Sequence, residues 1–141
     1  MQLEVKTKIR IGAPAHEVFE AIIDPAKMSQ YFITEASGPM EAGKTISWTW
    51  ADYNTTINIH VQKVEKNHYI SFTWPGSDVE TIVDIQLDAE TESVTSVTIK
   101  EKDWHKDDKG IQRLTEQTQG WLDMLLCLKA FVQYGINLRK V

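Results

Sequence analysis

Apolar and polar residues alternate at the start of the chain. In residues 3–11, Leu3, Val5, Ile9 and Ile11 share one face with Thr7, while Glu4, Lys6, Lys8 and Arg10 fill the other. A period of two predicts a half-buried strand. The period then lengthens. In GAPAHEVFEAII, Pro14 stands at a first helical position, and Val18, Phe19, Ile22 and Ile23 follow at helical spacing. DPAKMSQYF repeats the device, with Asp24 as cap and Pro25 opening a second short helix.

From Ile33 to Trp104 the period returns to two. TISWTW sets Ile46, Trp48 and Trp50 on one face, and TTINIHV does so with Ile57, Ile59 and Val61. YISFTW aligns Ile70, Phe72 and Trp74, VETIVDIQL aligns Val79, Thr81, Val83, Ile85 and Leu87, and SVTIKEKD aligns Val97, Ile99, Glu101 and Asp103. ADYN, EKNH, WPGSD and DAETES separate these runs with turn chemistry. The pattern predicts an antiparallel meander with one dry and one wet face. A bulge in any strand would exchange its inward and outward sets. Helical spacing then holds from about Asp107 to Tyr134, with Gly135 as the stop. Ile111, Leu114, Trp121, Leu125, Leu128 and Val132 keep one stripe, which widens around WLDMLLCL until only Asp123 interrupts it. A helix so broadly apolar is expected to be wrapped on more than one side, by a curved sheet or by a second copy of the chain.

The length of 141 residues suits a single domain spanning 1–141 with one sizeable core. A net charge of −5 argues against a nucleic-acid footprint. No apolar run approaches the roughly 20 residues a membrane span needs. The alternating N-terminus does not read as a signal peptide. The lone Cys127 in an apolar run suits a reducing, cytoplasmic setting.

GPMEAGKT, residues 38–45, matches the phosphate-loop pattern G-x-x-x-x-G-K-[ST]. A phosphate loop works by running from a strand into a helix, whose free N–H groups and dipole receive the phosphate. Here GKT leads into the period-two run Ile46–Trp50, so a turn that starts a strand is expected instead. His16, His60, His68 and His105 show no zinc spacing, and no metal or other cofactor is expected. DWHKDD, residues 103–108, reads as a solvated turn before the last helix. His60, alternating with Ile59 and Val61, should face solvent.

All five tryptophans lie beyond residue 47. Trp48, Trp50, Phe72, Trp74 and Trp121 bring more aromatic bulk than a close-packed core of this size needs, and Thr7, Thr81, Glu101 and Asp103 fall in phase with the apolar residues. An apolar cavity with a few convergent polar groups is the signature of a small-molecule site. A solid aromatic core is the competing reading.

Strand, two short helices, several strands and one long helix is an order that resembles the START-like, birch-pollen-allergen-like (SRPBCC) helix-grip superfamily. IRIGAPAHEVFEAIIDPAKMSQYF resembles its opening strand and helix pair, GKTISWTW its glycine-led strand, and YISFTWPG its aromatic strand before a turn. GWLDMLLCLKAFVQYGINLR is similar to the closing helix of stand-alone bacterial members of the branch named for the activator of heat-shock protein 90 ATPase. The resemblance implies an α+β helix-grip fold, a curved antiparallel sheet of about six or seven strands wrapped around the long C-terminal helix. It also implies that the helix passes close over the sheet at Gly120, where alanine would then disturb the core.

The function expected is binding of a small hydrophobic or aromatic ligand between sheet and helix. Trp48, Trp50, Phe72 and Trp74 would form the sheet wall, Trp121 and Leu125 the helix wall, Met28 and Phe32 the mouth, and Glu101 the polar anchor. Two alternatives follow from the same resemblance. One is a cyclase or hydrolase of such a molecule, with no catalytic residue singled out. The other is a co-chaperone-like module that binds a chaperone or another protein. The eukaryotic co-chaperones carry a preceding chaperone-binding domain, which is not expected here because the first strand begins with the sequence.

Overall fold

The computed structural model describes residues 3–75, 79–102 and 108–139. Asp103, Trp104 and His105 lie outside the described residues, and so do the expectations placed on them. The elements run β1 (Glu4–Ile11), α1 (Ala15–Ile23), α2 (Pro25–Met28), β2 (Glu35–Ala36), β3 (Thr45–Trp50), a single 3-10 turn (Ala51–Tyr53), β4 (Thr55–Glu65), β5 (Tyr69–Pro75), β6 (Glu80–Thr91), β7 (Val94–Lys102) and α3 (Asp108–Tyr134). This is the α+β helix-grip architecture. One curved, antiparallel seven-stranded sheet has the order β1-β7-β6-β5-β4-β3-β2. The outer strand β2 is only two residues long, and α3 packs along the other edge strand, β1. Both edges are thereby kept from pairing with another chain.

The period-two faces predict the buried side strand by strand. Ile46, Trp48 and Trp50 are buried, as are Ile59 and Val61, Ile70, Phe72 and Trp74, Thr81, Val83, Ile85 and Leu87, and Val97, Ile99 and Glu101. Bulges do occur, but at harmless places. Strand β4 slips between Val61 and Lys63, and the β6–β7 pairing slips between Ala89 and Thr91, each after the last core residue of its run. His60 is exposed on the outer face and meets the Thr45 hydroxyl at 2.9 Å.

Local chemistry sets the helix boundaries. Asp24 accepts a hydrogen bond from the Ala26 N–H at 2.9 Å, and Pro25 opens α2 where a missing N–H costs nothing. Pro14 is the N-cap of α1 and not its first helical residue, one position from expectation. Gly135 ends α3 at φ +67°, returning its N–H to the Phe131 carbonyl at 2.9 Å. Tyr31, after α2, is buried and donates its hydroxyl to the Ala21 carbonyl at 2.8 Å. That contact locks the helix pair together, and burial raises the Tyr31 pKa well above the ordinary phenol value.

The phosphate-loop match is a turn. Gly43 sits at φ +81°, Lys44 pairs with Glu41 at 2.8 Å, and Thr45 opens a strand. No helix N-terminus follows, so the feature that binds phosphate is missing at this position. Among the described residues no helix is long and apolar enough to cross a membrane. None of their histidines, cysteines and acids form a group of three that suits a metal ion.

Gly43→Ala places a side chain at a left-handed φ in open space, so strain is its only effect. It is expected to lower unfolding stability by about 1 kcal/mol. Denaturant titration checks this, and unchanged stability would remove the conformational reason for glycine here.

Candidate functional site

The aromatic residues of β3, β5 and α3 meet in one cluster with Phe32 from the segment after α2. Phe32, Trp48, Trp50, Phe72, Trp74 and Trp121 form a continuous chain of edge-to-face and tilted contacts, with ring centroids from 5.2 Å (Trp74–Trp121) to 6.5 Å (Phe72–Trp121). These are the separations that aromatic quadrupoles favour.

At one end of the cluster lies a buried carboxylate. Strand register brings Trp74 of β5 opposite Thr81 of β6, and Val83 of β6 opposite Glu101 of β7. Glu101 is 0% exposed. Its Oε2 accepts from the Trp74 indole N–H at 2.8 Å and from the Thr81 hydroxyl at 2.5 Å. Its Oε1 accepts from the Trp121 indole N–H at 2.7 Å and the Gln117 amide at 3.2 Å. Burying a carboxylate is costly unless its oxygens are hydrogen-bonded, and these donors meet that need. Two come from sheet strands and two from α3, so the group joins the two layers.

Open space begins where this cluster ends. A groove of about 450 Å³ runs between the segment after α2, the 3-10 turn and α3. Phe32, Trp50, Tyr53, Gly120, Met124 and Arg139 are among its lining residues. A smaller slot of about 120 Å³ shares Phe32, Trp50 and Gly120 with it and adds Trp74, Gln117 and Trp121. Of the residues the sequence singled out, Phe32, Trp50, Trp74 and Trp121 therefore face open space. Met28, Trp48, Phe72, Glu101 and Leu125 are packed into the interior and line neither opening.

Gly120 requires a correction. An alanine Cβ at this position would meet nothing within 4 Å, so close helix–sheet packing is not its reason. Gly120 instead leaves a gap in the helix wall where groove and slot meet. Helical spacing places Gly120, Met124 and Cys127 on one line beside the buried Trp121, Leu125 and Leu128. That second line was visible as the widening apolar arc, but its orientation toward open space was not. Tyr53, Leu138 and Arg139, which also line the groove, had no periodic signal because they lie in a turn and a tail. Arg139 reaches back to donate to the Asp52 carboxylate at 2.7 Å and to the Phe32 carbonyl. Burial raises the Cys127 thiol's pKa, an effect opposed by the nearby Arg139 and reinforced by Asp123.

A curved antiparallel sheet closed over by a long C-terminal helix, with an aromatic groove at the rim, defines a START-like helix-grip protein. The chain belongs to the family described as Activator of Hsp90 ATPase homolog 1-like protein, whose profile matches residues 12–133. It is 35% identical to protein SSP2350 from Staphylococcus saprophyticus, over 96% of both chains, with a TM-score of 0.84. It is 26% identical to DynU16, a protein in the dynemicin biosynthetic locus, over 94% of this chain and 48% of that one, with a TM-score of 0.84. The Aha1 dimer from Colwellia psychrerythraea shares the fold at 20% identity and a TM-score of 0.79, over 94% of this chain and 97% of that one. No curated protein sequence matches the chain.

Glu101→Gln keeps the shape of the side chain but turns one acceptor oxygen into a donor that faces donors. Stability is expected to fall by about 2–4 kcal/mol, with a change in tryptophan emission from Trp74 and Trp121. Chemical denaturation followed by fluorescence measures both, and a neutral substitution would show that these contacts do not hold the layers together.

Proposed function

We propose that this chain binds a small hydrophobic or aromatic molecule in the groove between the segment after α2 and α3. Phe32 and Trp50 form the wall common to groove and slot, and Trp74 and Trp121 form the end of the slot. Trp48, Phe72, Met28 and Leu125 support these rings from behind. Glu101 acts as the polar anchor of the wall, holding both indoles in place. Its oxygens are occupied by protein donors, which suits a support better than a proton-transfer group.

Gly120 is the observation that carries the reading. A glycine in mid-helix costs about 1 kcal/mol relative to alanine, and here no packing contact accounts for it. It keeps clear the place where groove and slot join. The helix-grip fold commonly binds hydrophobic ligands, and the biosynthetic locus of DynU16 supports a small-molecule role.

Two substitutions separate the helix from the groove. Gly120→Ala is expected to stabilise the protein by about 0.5–1 kcal/mol. Gly120→Leu should fold but fill the opening. The fluorescence of N-phenyl-naphthylamine, titrated into the unmodified protein, should rise on binding and should not rise with Gly120→Leu. Dye binding that survives Gly120→Leu, or is absent throughout, would count against the groove.

A second reading concerns assembly. Leu122 and Leu126 are 40% and 44% exposed on α3, and the Colwellia protein that shares the fold is described as a dimer. We infer that a second copy covers this face. Sedimentation should show a dimer that dissociates on Leu122→Glu; a monomer at all concentrations would exclude it.

A further inference from the structure

We propose that the ligand is a cation: an apolar or aromatic body carrying a protonated amine, with the amine held at Asp123. The inference rests on the groove reading above and adds the charge of the molecule.

Asp123 and Arg139 are the two charged side chains that line the groove. Arg139 is already committed. Its guanidinium donates to the Asp52 carboxylate at 2.7 Å and to the Phe32 carbonyl, so its charge is matched within the protein. Asp123 makes no hydrogen bond or ion pair among the described residues. It is the one charged residue in the run 121–128, three positions from Gly120 and four from Cys127. Residues at those offsets are neighbours on a helix surface, which puts the carboxylate beside the gap. Asp123 also pushes up the Cys127 thiol, less strongly than Arg139 draws it down, so both charges lie near that side chain.

The rest of the lining favours the same sign. Tyr31, Phe32, Trp50 and Tyr53 all border the groove. Aromatic faces are electronegative and attract ammonium groups, most strongly at tryptophan. A chain with a net charge of −5 adds a weaker attraction at long range. An uncommitted carboxylate beside aromatic rings therefore selects a positive, partly apolar guest. An anion would share the Arg139 guanidinium with Asp52 and lie near Asp123.

The test uses three probes with one aromatic body, titrated by calorimetry: naphthylmethylamine, which is positive at neutral pH; naphthalenemethanol, which is neutral; and naphthoate, which is negative. The amine is expected to bind about three- to tenfold more tightly than the alcohol at low salt. That ratio should shrink as ionic strength rises. Asp123→Asn should remove at least half of the preference, and Asp123→Lys should turn it toward naphthoate. Alcohol or naphthoate binding as tightly as the amine overturns the proposal, and so does a preference that Asp123→Asn leaves intact. If none of the three binds, the groove reading itself fails and takes the charge assignment with it. Equal binding of all three leaves the groove standing and removes only the cation.

Discussion

The buried carboxylate of Glu101 is the contact on which the rest of this architecture depends. An apolar interface between a sheet and a helix can slide or rotate at little cost, because dispersion contacts are non-directional. Hydrogen bonds from both layers to one carboxylate allow neither motion. Trp74 and Thr81 bring donors from adjacent strands, and Gln117 and Trp121 bring them from α3. Any shift of the helix along the sheet would strand buried donors, each at a cost of about 1–3 kcal/mol. The group thus sets the register of α3 against the sheet.

That register decides where space is left open. With Trp121 held against Trp74 at a centroid distance of 5.2 Å, Gly120 is directed to the rim, beside Phe32 and Trp50. Met124 and Cys127 follow it one and two turns later along the groove. On the inner side, Trp48, Phe72 and Leu125 close the core. The same helix therefore shows a packed stripe and, a single residue away, a line that borders the groove, exposed at Gly120 and buried at Met124. The tail after Gly135 completes the groove, because Arg139 fastens it to the 3-10 turn and to the segment after α2.

Charge is distributed with the same asymmetry. Of the ionic groups near this line, Arg139 is tied to Asp52 while Asp123 is left to the groove. Of the two charged side chains that line the groove, the one without a protein partner among the described residues is the exposed Asp123, at the rim where a ligand would meet it. The family supplies the scaffold, and a few side chains at its rim determine what the scaffold would accept.

Much of this was legible in the chain before any coordinates. Alternation in five strand runs identified the buried faces, since a pleated strand bordering a core leaves each side chain only two directions. Pro25 and Gly135 marked helix ends through backbone chemistry that is local by nature. Glu101 stood out as an acid in phase with apolar residues. Its partners could not be read, because Trp74, Thr81, Gln117 and Trp121 converge only through strand pairing and helix docking. Gly120 was misread for the same reason: a mid-helix glycine signals a demand for space, and only the packed layers show whether backbone or emptiness fills it. Patterns of period two and 3.6 report which way a residue faces within its own element. Which elements meet, and where they fail to meet, is a property of the assembled layers, and the groove exists only there.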